Sequence, residues 1–156
     1  MSLPSRDHVI EQAFPAIWNN GGYVITSPKN PFYNCIAWAA HADHHWWEPD
    51  PSFQYFWPKG VPRAYTIAAY VAAYSSVGYV VCDNSDLEIS FEKIAIFTDR
   101  FNVPQHAARQ LDDGLWTSKL GKHFDISHAL NGVSGDAYGI PTVFMKRAKR
   151  DPVQQS

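Results

Sequence analysis

Residues 105–120 read QHAARQLDDGLWTSKL, two short runs of strand-like alternation flanking Asp112-Asp113-Gly114. Three loop residues ending in Gly predict an antiparallel hairpin, because Gly takes the left-handed conformation that closes such a turn with a bulge. The turn length also sets which side chains share a face. With 112–114 as the loop, residue 108 faces 118 and residue 106 faces 120, so Ser118 lies on the same face as His106. A two-residue loop would instead put Thr117 and Lys119 there.

Working outward, Tyr79–Cys82, Lys93–Thr98 and Tyr138–Met145 are further runs bounded by Gly, Asp, Asn or Pro and are expected as strands. Residues 125–130, DISHAL, are expected as one or two helical turns. Helices dominate the first half. Residues 6–18 carry apolar positions at helical spacing with a break near Pro15, and residues 64–76 form an Ala- and Tyr-rich helix stopped by Gly78. Residues 19–33 are rich in turn formers and are expected as a loop enclosing a short apolar piece, Tyr23–Ile25. Asn34 stands where an N-cap would, ahead of the buried helix Cys35-Ile-Ala-Trp-Ala-Ala. Helices followed by an antiparallel sheet make an α+β domain with the Cys helix packed on the sheet. One domain over residues 1–150 and a flexible tail over 151–156 account for the 156 residues.

Composition narrows the function. Charged residues are 18% and the formal net charge is −2, so there is no long-range attraction for phosphates and nucleic acid is not indicated. Lys146, Arg147, Lys149 and Arg150 read as a solvated terminal cluster. No apolar run approaches a bilayer span and the start lacks a signal-peptide pattern, so a cytoplasmic protein without membrane partners is expected. The two cysteines, Cys35 and Cys82, are expected as free thiols, and nothing in the sequence asks for a cofactor. Aromatics are in excess, with 6 Trp, 8 Tyr and 9 Phe. Residues 44–63, HHWWEPDPSFQYFWPKGVPR, hold six aromatics and four prolines and are expected as an ordered loop.

A thiol at a helix's first turn is favoured as thiolate by the unpaired N–H groups there, and an imidazole brought close by the fold would complete a nucleophilic pair. Cys35 and His106 fit those two roles. Ser118 is the orienter of the imidazole that the hairpin parity favours, with Thr117 and Asp125 as rivals. Asp125 also reads as the cap of the DISHAL turn. His128 is a reserve base should His106 face away. The Cys35 backbone N–H would be one oxyanion donor, with Asn30, Tyr33 or Asn34 near enough to supply another. Trp38, Trp46 and Trp47 read equally as cleft walls and as core packing. His41, His44 and His45 invite a metal reading through their spacing, but adjacent imidazoles cannot all converge and such residues also favour a helix C-terminus, so no metal site is assigned. His123 reads as a surface or capping residue.

The segments Asn34-Cys-Ile-Ala-Trp38 and His106-Ala-Ala-Arg-Gln-Leu-Asp-Asp-Gly-Leu-Trp-Thr-Ser118 resemble, in order and spacing, the NlpC-type branch of the papain-like cysteine hydrolases. Its cell-wall amidases and endopeptidases have an Asp-Cys-Ser-Gly helix start, then a strand opening with His. The phrases NCIAWA, HAARQLDDG and WTSKLG are also similar to an uncharacterised family of small bacterial proteins. The first resemblance implies a papain-like fold and a hydrolase or acyl transferase in which Cys35 attacks an amide or ester and His106 moves the proton. It implies Ser118 as third member and a peptide- or amide-type substrate, while the residues themselves offer Asn34, Trp38, Trp46 and Trp47 for contact with it. Asn34, Ile36 and Ala37 depart from the motif at positions bearing on substrate. The alternative from the residues is a non-catalytic binding or immunity-type protein of the same fold, touching a protein partner through the aromatic loop.

Overall fold

A computed structural model of the protein describes residues 2–149; the expected tail over 151–156 and Arg150 lie outside the described residues. In chain order the elements are α1 (His8–Ala13), a 3-10 turn (Trp18–Asn20), β1 (Tyr23–Ser27), α2 (Cys35–Ala39), α3 (Ile67–Ser75), β2 (Val80–Cys82), β3 (Phe91–Thr98), β4 (Pro104–Gln110), β5 (Trp116–Lys119), β6 (Asp125–His128), a second 3-10 turn (Leu130–Val133) and β7 (Ile140–Ala148). The expected α+β class is met. All seven strands join one antiparallel sheet in the order β1-β6-β5-β4-β3-β7-β2. No helix among the described residues is long and apolar enough to cross a membrane.

The expected hairpin forms as read. Arg109 pairs with Thr117 and Gln110 with Trp116, which leaves Asp112-Asp113-Gly114 as the loop, with Gly114 at φ 88°. A second hairpin of the same length follows, for Leu120 N–H donates to the Phe124 carbonyl across Gly121-Lys122-His123. That hairpin corrects one expectation. Residues 125–128 are strand β6, not a helical turn, because Asp125 pairs with Lys119 and Ser127 with Thr117. On its other edge β6 takes up Tyr23–Ser27, expected as loop, as edge strand β1.

The sheet has a core on each face. On one, α2, α3 and the aromatic loop bury Ile36, Ala37, Tyr70, Tyr74, Trp47 and Trp57 against Ile94, Ile96, Ala107 and Met145. On the other, α1 and the 3-10 turns bury Ile10, Phe14, Ile17 and Val133 against Ala95, Phe97, Ala108, Trp116 and Ile126. β3 is buried on both faces from Lys93 to Thr98, as a central strand must be.

Of the expected solvated cluster near the end, Lys146 and Arg147 lie in β7 and Lys149 directly follows it. Arg147 pairs with Glu92, Lys146 with Glu88 at 3.0 Å and Lys149 with Asp112 at 2.6 Å, so these cations fasten β7 to its surroundings. The turn before β7 is held by reciprocal backbone bonds between Gly135 and Gly139. Gly139 has φ 77°, and a Cβ there would overlap the Thr98 carbonyl. This turn seats Tyr138 against Phe14, with ring centroids 5.1 Å apart. Gly139→Ala is therefore expected to destabilise the domain by more than about 2 kcal/mol, read from its urea midpoint at unchanged slope.

Candidate functional site

Alternation along β4 and β5 distributes the expected catalytic residues. Phe97, buried on the α1 face, pairs directly with His106, while Ile96, buried on the α2 face, pairs with Ala107. His106 therefore belongs to the α1 face. Ser118 joins it there, as the hairpin parity required, because Ser118 pairs with Ile126 of the same core. Cys35 belongs to the α2 face with Ala107.

The structure thus brings His106 and Ser118 together and does not bring Cys35 to them. His106 Nε2 lies 2.8 Å from Ser118 Oγ, and the same oxygen lies 2.7 Å from His128 Nε2. His128 Nδ1–H donates to the Ala129 carbonyl at 2.7 Å, which leaves His128 Nε2 as acceptor. Ser118 O–H then donates to His128, and His106 Nε2–H donates to Ser118. His106 Nδ1 is left as a buried acceptor without a hydrogen-bond partner among the described residues. The Tyr138 ring stacks on the His106 imidazole at 3.8 Å, and Phe97 meets it edge-on at 5.3 Å. Burial, helped by His128, holds the His106 pKa well below its ordinary value. Burial pushes His128 down to about 4 against the pull of the Ala129 carbonyl. These are neutral imidazoles in a packed core, not a base beside a thiol.

The two imidazoles give stability a sign with pH. His128 takes its proton near 6.5 in the unfolded chain but only near 4 in the fold, so the unfolded state binds more protons between those values. Stability is complete above about pH 6.5 and falls as pH drops towards 4. His128 accounts for roughly 3 kcal/mol of that loss and His106 adds to it. Ser118→Ala strands both Nε2 atoms and is expected to cost roughly 2–4 kcal/mol at pH 7, measured by denaturant unfolding.

Cys35 sits where the N-cap reading put it. Asn34 Oδ1 accepts from Ala37 N–H at 3.2 Å, and the same side chain clamps Trp47, accepting from its N–H at 3.1 Å and donating to its carbonyl at 2.7 Å. One residue thus starts α2 and ties the aromatic loop to it. Cys35 lines a cleft of about 340 Å³, whose walls include Asn34, Trp46 and Trp47 together with Tyr65, Tyr70 and Tyr138. Among the described residues, no imidazole lines it. Burial pushes the thiol up to about 11, although the backbone N–H groups of Ala107, Ile36 and Cys35 favour the thiolate.

Two buried charged groups on this face are Lys119 and Asp125. Lys119 is fully buried and donates to the carbonyls of Asn30, at 2.7 Å, and Gly121. Its ammonium lies 5.0 Å from the Tyr33 ring centroid. Burial brings its pKa down to about 8, opposed by Asp125 and by the Cys35 thiol. Asp125 caps no helix. It accepts from Thr26 O–H and lies 3.5 Å from Tyr33 O–H, so neither Asp125 nor Thr117 orients His106. Thr117 Oγ1 instead accepts from Trp38 Nε1–H at 3.0 Å, and Trp38 packs under Arg109 at 4.5 Å, away from the cleft lining.

His41, His45 and His123 reach different neighbours. α2 ends at Ala39, and His41, with φ 63°, turns its ring to Glu92 at 3.1 Å. Burial works against the Glu92 carboxylate, yet His41 and Arg147 bring it down to about 2. His45 stacks on Phe56 at 4.3 Å, and His123 reaches Asp7, the cap of α1, at 3.1 Å.

Sequence reasoning gave no role at this site to Tyr138, Tyr65, Tyr70 or Glu48, and placed Lys119 beside His106 only for a two-residue loop. Lys119 was accessible to the parity argument, since the register that pairs 108 with 118 also pairs 107 with 119 on the opposite face. Tyr138, expected to open the closing strand, instead lies in the Gly135–Gly139 turn ahead of β7, which starts at Ile140.

No curated protein and no solved structure matches the chain. A family model described as Domain of unknown function (DUF7689) matches residues 24–146, most of the chain and every element from β1 through most of β7, and the protein belongs to that family.

Proposed function

We propose that the domain is a non-catalytic binding module on a papain-like scaffold, using the cleft beside Cys35 to take a side chain of a peptide or protein partner. The scaffold reading is supported by order and packing. A helix that begins with Cys lies against β4 and β5, the strands that the resemblance assigns to a catalytic His and its orienter. The observation that carries the functional reading is what those strands offer the thiol. On its side of the sheet they present Ala107 and Lys119, not an imidazole.

Nucleophilic catalysis by cysteine needs thiolate near neutral pH and a proton carrier for the leaving group. A thiol at about 11 is almost wholly protonated at pH 7, and His106 is engaged with Ser118 on the far face. The hydrolase reading would require both groups to move. A binding reading requires neither, and the aromatic walls suit it, since Trp and Tyr provide large contact areas at small entropic cost. The neighbouring loop carries more such surface. Phe53 is 74% exposed, and Tyr55 and Phe56 are exposed beside it.

Alkylation distinguishes the readings. Iodoacetamide at pH 7 is expected to label Cys82, which is only partly buried, faster than Cys35, and His106→Asn is expected to leave the Cys35 rate unchanged in protein shown to be folded. Preferential labelling of Cys35 that slows in the His106 variant would establish the catalytic pair and remove the binding reading.

A further inference from the structure

The cleft beside Cys35 contains one carboxylate, and its setting specifies a ligand. Glu48 is part of the lining, among Trp46, Trp47, Tyr65, Tyr70 and Tyr138. Its two oxygens are held separately. Oε1 accepts from Trp46 Nε1–H at 3.1 Å and Oε2 from Tyr65 O–H at 2.6 Å. Two cleft walls thus fix the carboxylate's orientation while supplying no positive charge. Among the described residues, no Lys, Arg or His lies within ion-pair distance of Glu48; the nearby Arg63 is spent on Asp50 at 3.0 Å and on the Tyr55 carbonyl. Lys119, a cation on the Cys35 side, is turned into the carbonyls of Asn30 and Gly121 and does not line the cleft.

We propose that this cleft is a binding site for an organic ammonium group carried on a peptide, a lysyl side chain in its simplest form. The inference rests on the binding-module reading above and names its ligand class. Aromatic walls attract an ammonium through their ring quadrupoles, and a preoriented carboxylate completes the charge balance. A neutral apolar side chain would fill the same space but leave Glu48 without a cation. Trp47 adds a reporter. Its indole N–H is buried without an acceptor among the described residues, and it belongs to the same lining. A buried donor without a partner is costly, so the indole is a sensitive reporter of any ligand that repacks this wall.

The test compares two probes that differ in one group. Nα-acetyl-lysine methylamide and its neutral isostere, Nα-acetyl-norleucine methylamide, are titrated into 15N-labelled protein while the indole N–H signals of Trp46 and Trp47 are followed, assigned through Trp46→Phe and Trp47→Phe. The lysine derivative is expected to shift those signals with an affinity on the order of tenfold above that of the norleucine derivative. Glu48→Gln, which keeps the hydrogen-bonded shape, is expected to erase the difference. Equal affinity of the two probes for the wild type would overturn the ammonium assignment while leaving a binding cleft in place. Silence of both indoles towards both probes would overturn it as well. Failure of the underlying reading looks different, since it consists of His106-dependent alkylation of Cys35, whichever probe binds. The wild-type comparison stands without the variant, so a Glu48→Gln protein that does not fold leaves the test intact.

Discussion

The Asp112-Asp113-Gly114 turn sets the register of β4 against β5, and that register decides which side chains in this molecule meet. Successive residues on a strand point to opposite faces, so one side of the sheet receives His106, Ala108 and Ser118 and the other receives Ala107 and Lys119. Everything at the cleft follows from this distribution. α2 delivers its thiol to the face that holds a lysine, and the two imidazoles close a polar network with Ser118 in the opposite core.

The two faces have different electrostatic solutions to burial. On the α1 side, three neutral polar groups are linked in a chain that ends on the Ala129 carbonyl and leaves only His106 Nδ1 without a partner among them. Burial keeps both rings uncharged, so the network stabilises through hydrogen bonding and is vulnerable to acid. On the α2 side a charge is retained. The Lys119 ammonium is held by two backbone carbonyls with Asp125 on the same face, in line with the rule that buried charges are kept only when compensated. Neither arrangement gives the thiol a base, and the Cys35 environment is that of a buried small residue at the floor of an aromatic cleft.

Much of this was legible in the sequence because it is local. Asn34 as a cap, the helix from Cys35, the three-residue hairpin and the shared face of His106 and Ser118 each depend on a few neighbouring residues and a fixed period. The structure departs from the reading where distant segments decide. DISH looks like a capped helical turn until the preceding hairpin folds it onto β5, and Tyr23–Ser27 becomes a strand only because β6 needs an edge partner. The Cys35–His106 pairing failed for a related reason. Motif order says which strand follows which helix but not which face of the strand the helix covers, and the alternation that placed Ser118 with His106 also placed Ala107 against α2.

The protonation state of Cys35 tests this account most directly. In protein carrying 13Cβ-labelled cysteine and Cys82→Ser, the Cys35 Cβ resonance should titrate as a thiol with a pKa of about 11. It should titrate identically when His106 is replaced by Asn. A thiolate resonance already present at pH 7, and lost in the His106 variant, would contradict the account, because it would mean that sulfur and imidazole meet across a sheet that here keeps them on opposite sides.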